Sequence, residues 1–119
     1  VHIPGHTPGC TGYLWDGNMV TGDAVFPFGA LGWNDVHWGS NYQDVIETME
    51  RVKEINPHHI LLSHGGAIPY GPAISEACIA TASEILDKNR AGPMSQIARA
   101  PRAMPGRVGR HIAIPRRTA

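Results

Sequence analysis

The sequence has no acidic residue after Asp87, only two cysteines among 119 residues, and no long apolar run. Cys10 and Cys78 match no metal-binding or redox spacing, which favours a reducing compartment and predicts a cytoplasmic location. No stretch approaches the ~20 apolar residues of a membrane helix, so no membrane role is expected. The chain opens without methionine or a secretory leader, inside what reads as a motif, and we expect an amino-terminal part of the protein to precede it.

Charge is divided unevenly along the chain, although basic and acidic residues balance overall. Residues 1–88 contain three Lys or Arg and ten acids, whereas residues 89–119 contain seven Arg and no acid. This boundary predicts a folded domain over 1–88 and a basic, flexible Pro- and Arg-rich tail over 89–119. The tail could contact nucleic-acid phosphates, but it has no aromatic residue for stacking, so nucleic acid is the less favoured partner.

Hydrophobic patterning predicts the order hairpin, long loop, helix, strand, helix. Asp16-Gly17 between two strand-like runs indicates a tight hairpin turn. A loop rich in Gly, Pro and aromatics over residues 26–41 precedes an amphipathic helix over Tyr42–Ile55. A buried strand over His58–Leu62 and a second helix from about Pro72 to Lys88 follow. The pattern predicts an α/β fold, a class in which chemistry collects at strand ends.

Three candidate metal ligands, His6, Asp23 and His64, each lie beside glycine at the edge of a predicted strand. Two imidazoles and a carboxylate are ligands that zinc accepts, or iron in another setting. A carboxylate between two cations could bridge them and help to hold a shared hydroxide. Each residue also has an ordinary alternative as a turn-capping histidine or a strand-end carboxylate. Separations of 17 and 41 residues mean that only the fold could bring the three together.

The segments PGHTPGCTGYLW, MVTGDAVF and ILLSHGG, in this order, resemble the second half of the metallo-β-lactamase superfamily in its glyoxalase-II-like branch. The resemblance covers residues 1–88 and implies the carboxy-terminal half of an αββα sandwich. It implies that His6 binds a first metal, Asp23 bridges, and His64 binds a second metal, in a site of two zinc ions with iron or manganese as alternatives. The family's His-x-His-x-Asp-His motif does not occur in residues 1–119, so the isolated chain is expected to lack activity and to need the amino-terminal half of the fold as partner.

The activity implied by the resemblance is hydrolysis of an ester, thioester, lactone or related bond in a small-molecule substrate. A metal-bound hydroxide would attack, and Asp23 would act as the catalytic carboxylate that holds the metals and orients the hydroxide. Two alternatives stay open, namely an iron-dependent redox enzyme on the same fold and a nuclease or nucleic-acid-binding module.

A Trp-rich loop borders the active site in this family, and residues 89–119 could be the remnant of the winged-helix appendage that some members carry. The resemblance therefore implies candidate substrate-binding residues in the loop, which are Trp33, Asp35, His37 and Trp38. The alternative for this loop is a packed segment held by its two indoles, with no contact to substrate.

Overall fold

The computed structural model describes residues 1–32 and 34–91. Its elements are β1 Tyr13–Trp15, β2 Asn18–Gly22, α1 Tyr42–Ile55, β3 His59–Leu62, β4 Gly66–Pro69 and α2 Pro72–Ala91, with short 3-10 turns at Pro27–Gly29 and Val36–Trp38. The strands form one sheet in the order β1-β2-β3-β4. The β2 and β3 strands run parallel, and both outer pairs run antiparallel. The predicted α/β class and element order are confirmed, and β4 is an additional strand that the patterning does not predict.

The ends of the elements are set by local side-chain and backbone signals. Asp16 and Gly17 have φ values of 47 and 74, which is the geometry of a tight turn that matches the twist of a hairpin. The side chain of Asn41 accepts hydrogen bonds of 2.9 and 3.3 Å from backbone N–H groups in the first turn of α1. Asn56 ends α1 in the left-handed conformation, and its N–H closes the last turn.

The hydrophobic core lies between one face of the sheet and the two helices. Met19 of β2 and Ile60 of β3 are neighbours in the register and are completely buried. They join a single cluster whose other members are Ile3, Val25, Val45, Met49, Val52, Cys78 and Ala82. Because burying one large aliphatic side chain contributes about 1.5–3 kcal/mol, this cluster holds both helices on the Met19 side of the sheet.

Helix α1 also buries Asp44, which is only 7% exposed. Asp44 stands in the first turn of α1, where the partial positive charge of the helix end favours a carboxylate. No helix in the described part of the chain combines the length and the hydropathy needed to cross a membrane.

The opposite face of the sheet, which we call the outer face, carries apolar side chains, several of them exposed, beside a hydrogen-bonded polar pair of Asn18 and His59. The strand register places Tyr13, Val20, Leu61 and Ala67 in one row across all four strands. Tyr13 is 67% exposed, and Trp15, two residues further along β1 on the same face, is 74% exposed. Sheets that turn one face to water normally carry polar residues there. An exposed apolar surface of this kind is typical of a site where another layer of protein packs.

We predict that Gly5→Ala destabilises the fold by about 2–4 kcal/mol, because backbone strain and overpacking each cost roughly 1–3 kcal/mol. Gly5 has a φ of +137, and a Cβ there would lie 2.7–2.9 Å from three atoms of Val45, two of them backbone. Urea denaturation of both proteins measures the difference. The matched control is Gly9→Ala, where a Cβ meets no atom within 4 Å, and which should change the free energy of unfolding by less than ~0.5 kcal/mol. Equal losses in the two variants would contradict the prediction.

Candidate metal centre

Two of the three predicted ligands are brought together by the parallel pair at the centre of the sheet. Asp23 directly follows the last residue of β2, and His64 lies two residues beyond the end of β3. The pairing continues one residue past the end of β3, because the Ser63 N–H donates a 3.3 Å hydrogen bond to the Gly22 carbonyl. Since parallel strands end at the same edge of a sheet, the carboxylate and the imidazole meet there.

The third predicted ligand, His6, reaches the same edge from the loop that precedes β1. Helix α1 and its capping residue Asn41 form hydrogen bonds with the backbone of this loop. The Thr48 hydroxyl donates a 2.6 Å hydrogen bond to the Pro4 carbonyl, and the Asn41 N–H donates one of 2.8 Å to the Gly5 carbonyl. Consecutive carbonyls just before His6 are therefore bonded to one rigid helix.

Asp23 lies between the two imidazoles and turns one carboxylate oxygen toward each. His6 Nε2 is 3.9 Å from Asp23 Oδ2, and His64 Nε2 is 3.7 Å from Asp23 Oδ1. Both separations exceed hydrogen-bonding distance. The side chains of His6 and Asp23 are 24% and 34% exposed, whereas that of His64 is 79% exposed. The structure thus brings all three predicted residues together, and their role as ligands stays a prediction.

Two buried polar atoms at this edge have no hydrogen-bond partner among the described residues, namely His6 Nδ1 and Asp23 Oδ1. Leaving such atoms unpaired costs about 1–3 kcal/mol each, so native structures rarely keep them without a purpose. Asp23 Oδ1 faces His64 Nε2 without bonding to it, which is the donor arrangement that a cation between them would use. The His6 nitrogen that approaches Asp23 is Nε2, so the unpaired Nδ1 is not part of such a pair. The residues present therefore fit a metal.

The described residues supply only part of a ligand set. No group of three or more His, Cys, Asp or Glu side chains within residues 1–32 and 34–91 is arranged to hold one ion. Ligand atoms ~2.0–2.2 Å from a tetrahedral zinc ion lie roughly 3.3–3.5 Å apart, slightly less than the two distances to Asp23. The geometry corresponds to two half-sites, each made of one imidazole nitrogen and one carboxylate oxygen.

A cavity of about 390 Å³ opens beside His6. Its described lining residues are His6, Thr7, Asp35, Trp38 and Ser40. Trp38 and Asp35 of the candidate substrate-binding set line it, and the Trp38 side chain is 80% exposed. His37 is not among the described lining residues; its N–H donates to Asp35 Oδ1 at 2.8 Å. Trp33 lies outside the described residues. Thr7 and Ser40 are lining residues that the sequence analysis did not single out.

The loop after Asp23 is fixed to helix α2. The buried Cys78 thiol donates to the Phe26 carbonyl at 3.3 Å, and the Thr81 hydroxyl donates to the Gly29 carbonyl at 2.9 Å. Both cysteines of the chain are free thiols. Burial raises the pKa of the Cys78 thiol above its ordinary value. Cys78 is therefore a neutral packing residue of the core cluster that also anchors the loop.

Comparison with solved proteins identifies the fold. The structure matches a metallo-beta-lactamase family protein from Thermus thermophilus with a TM-score of 0.65 and 18% identity, over 76% of this chain and 32% of that protein. It also matches an archaeal metallo-beta-lactamase superfamily protein from Sulfolobus tokodaii with a TM-score of 0.50 and 19% identity, over 84% of this chain and 45% of that protein. No protein-family model and no curated protein matches the sequence.

The chain has the metallo-β-lactamase fold, and the predicted resemblance is confirmed at that level. It spans about a third of the first solved protein and under half of the second, which agrees with one sheet-and-helix half of an αββα sandwich. Sequence identities of 18% and 19% establish the fold alone, so the reaction of this protein has to be argued from its own residues.

We predict that the protein loses stability at alkaline pH through Cys78. The raised pKa means that the folded state keeps the thiol proton where the unfolded chain releases it. The resulting stability is complete below the thiol's ordinary pKa of 9.0 and is lost as the pH rises through the folded value. Urea denaturation between about pH 8.5 and 10 should show a fall in wild type that is smaller in Cys78→Ala. Identical pH dependence in both proteins would show that Cys78 does not contribute.

Proposed function

We propose that this chain is the carboxy-terminal half of a dinuclear metal-dependent hydrolase. The observation that carries the proposal is the placement of Asp23 between His6 and His64, with one carboxylate oxygen toward each ring. His6 and His64 would each hold one ion, and Asp23 would bridge the two. Zinc suits this donor set, and iron or manganese is the alternative. When bound, the two ions activate a water molecule as nucleophile and stabilise negative charge on the reacting oxygen.

The residues of this chain would hold the metal ions, position the substrate and select which substrate enters. Asp23 holds its two oxygens in a partly buried setting, where the attraction between a carboxylate and a cation is stronger than in water. The cavity beside His6 would receive the substrate, with the Trp38 indole as its apolar wall. Trp33 and His37 remain candidate contacts from the same loop.

The charge of the cavity favours a neutral substrate. Asp35 contributes a carboxylate to its lining, and no Lys or Arg is found there in the described part of the chain. Phosphodiester substrates are normally held by arginine or lysine side chains. The cavity thus supports hydrolysis of an ester, thioester or lactone in a small molecule over the nuclease alternative.

We further propose that the outer face packs against the sheet of the amino-terminal half of the fold. An apolar row crosses all four strands there, and the helices that cover the sheet lie on its other side. Two aligned sheets that pack about 10 Å apart bury such rows between them. The solved proteins with this fold extend well beyond the part that this chain matches, as a second layer requires.

In the complete zinc-loaded protein, Asp23→Ala should lower kcat/KM for a neutral thioester on the order of 10³-fold, because bound ions supply several kcal/mol of charge stabilisation. Steady-state kinetics together with metal analysis of the purified protein test this. Asp87→Asn, on an exposed position of α2, is the control and should retain both zinc and activity. Full activity in Asp23→Ala would overturn the proposal, and bound iron with oxygen-dependent turnover would replace it with the redox alternative.

The outer face can be tested by association of separately produced halves. Trp15→Lys should weaken binding of the 119-residue chain to the amino-terminal half by about tenfold or more, since buried tryptophans dominate interface energies. Isothermal titration calorimetry measures the affinity. Phe28→Lys is a matched control, because Phe28 is 97% exposed but lies on the loop after Asp23. Equal affinities for Trp15→Lys and wild type, or a stable homodimer of the chain through this face, would contradict the assignment.

A further inference from the structure

We infer that Ser40 is a positioning residue that holds His6 in register with the cavity wall. The Ser40 hydroxyl donates a 2.6 Å hydrogen bond to the His6 carbonyl and accepts one of 2.9 Å from the Asp35 N–H. One side chain thereby joins a predicted metal ligand to a cavity residue. Ser40 is only 7% exposed, so water competes weakly for these bonds. The inference rests on the proposed function, because the position of His6 matters there through metal binding.

The bonding of Ser40 is not explained by helix capping. Asn41 alone caps α1, and its side chain accepts from the two backbone N–H groups at the start of the helix. Ser40 instead forms two hydrogen bonds with Asp35. The Ser40 N–H donates to the Asp35 carbonyl at 3.1 Å, and the Ser40 hydroxyl accepts from the Asp35 N–H, which closes a ring between the two residues. This ring fixes the hydroxyl in the orientation that reaches His6.

The orientation of the His6 ring is set by the backbone segment that carries it. A ligating imidazole ordinarily donates its second ring nitrogen to a carboxylate, carbonyl or water, which sets the plane of the ring. His6 Nδ1 has no such partner among the described residues. The ring is therefore placed by the segment that carries it, whose Gly5 and His6 carbonyls are held by Asn41 and Ser40 respectively. Removal of the Ser40 hydroxyl should free the end of that segment nearest the ligand.

The experiment compares zinc binding and amide exchange in the complete protein, because the described residues of this chain supply only part of a ligand set. Ser40→Ala removes the hydroxyl, Ser40→Thr retains it, and Ser40→Cys gives a weak donor of similar shape if the alanine variant does not fold. Tyr70→Phe is the control, since it removes a 2.8 Å hydroxyl hydrogen bond to Ser75 just after β4, at the end of that strand away from the candidate site. Zinc is titrated while the imidazole signals of His6 and His64 are followed by NMR. Amide exchange of Asp35 and Asn41 is measured in the metal-free proteins.

We expect Ser40→Ala to weaken zinc binding by about tenfold to 100-fold, the usual effect of losing a group that orients a ligand. Ser40→Thr should bind within about threefold of wild type, and Tyr70→Phe should bind as wild type does. Exchange at Asp35 and Asn41 should accelerate in Ser40→Ala and stay unchanged in Tyr70→Phe.

Two results would overturn the inference: wild-type zinc affinity in Ser40→Ala, or an equal loss of affinity in Tyr70→Phe. Unchanged exchange at Asp35 and Asn41 in Ser40→Ala would also overturn it, even where zinc binds. Failure of the proposed function looks different. Neither histidine signal of the complete wild-type protein would respond to millimolar zinc, while exchange would still report whether Ser40 holds the loop.

Discussion

Parallel pairing of β2 with β3 is the constraint on which the candidate site depends. It places the ends of both strands at one edge, so that Asp23 and His64 come within 3.7 Å although 41 residues separate them. Antiparallel pairing would put them at opposite ends of a four-residue strand, roughly 13 Å apart. Parallel pairing in turn requires a crossover, which the loop and helix α1 provide between the two strands.

Helix α1 both packs on the sheet and holds the loop that carries His6. Its buried side, with Met49 and Val52, packs on the sheet, while its amino-terminal half bonds the loop that carries His6. The register of the core therefore sets the position of a predicted ligand. Helix α2 likewise fixes the loop after Asp23, through the hydrogen bonds that Cys78 and Thr81 donate to its carbonyls. Both loops of the candidate site are thus tied to the hydrophobic core rather than left on the surface.

The sequence predicts those features that local chemistry decides. The Asp16-Gly17 turn is a short-range signal and is found where it was expected, and the cap of α1 by Asn41 is decided just as locally. Strand β4 begins with glycine and ends with proline, a composition typical of loops; it becomes a strand only because β3 offers it an edge. A serine just before a helix looks like a cap, and no local pattern shows a bond from Ser40 to a carbonyl 34 residues away. Convergence of the three candidate ligands was implied by the resemblance to the metallo-β-lactamase superfamily, but their distances and the cavity required the fold.

The incomplete ligand set and the bare outer face have a common physical origin. Two packed sheets keep their strand directions within about 30° of each other, so the strand ends of both gather at one rim of the sandwich. A second sheet on the outer face would therefore bring its own strand-end side chains to the rim that holds His6, Asp23 and His64. The same packing that buries Tyr13 and Trp15 would add nitrogen and oxygen ligands to the two half-sites. Because one event completes both, we expect metal affinity and burial of the outer face to rise together.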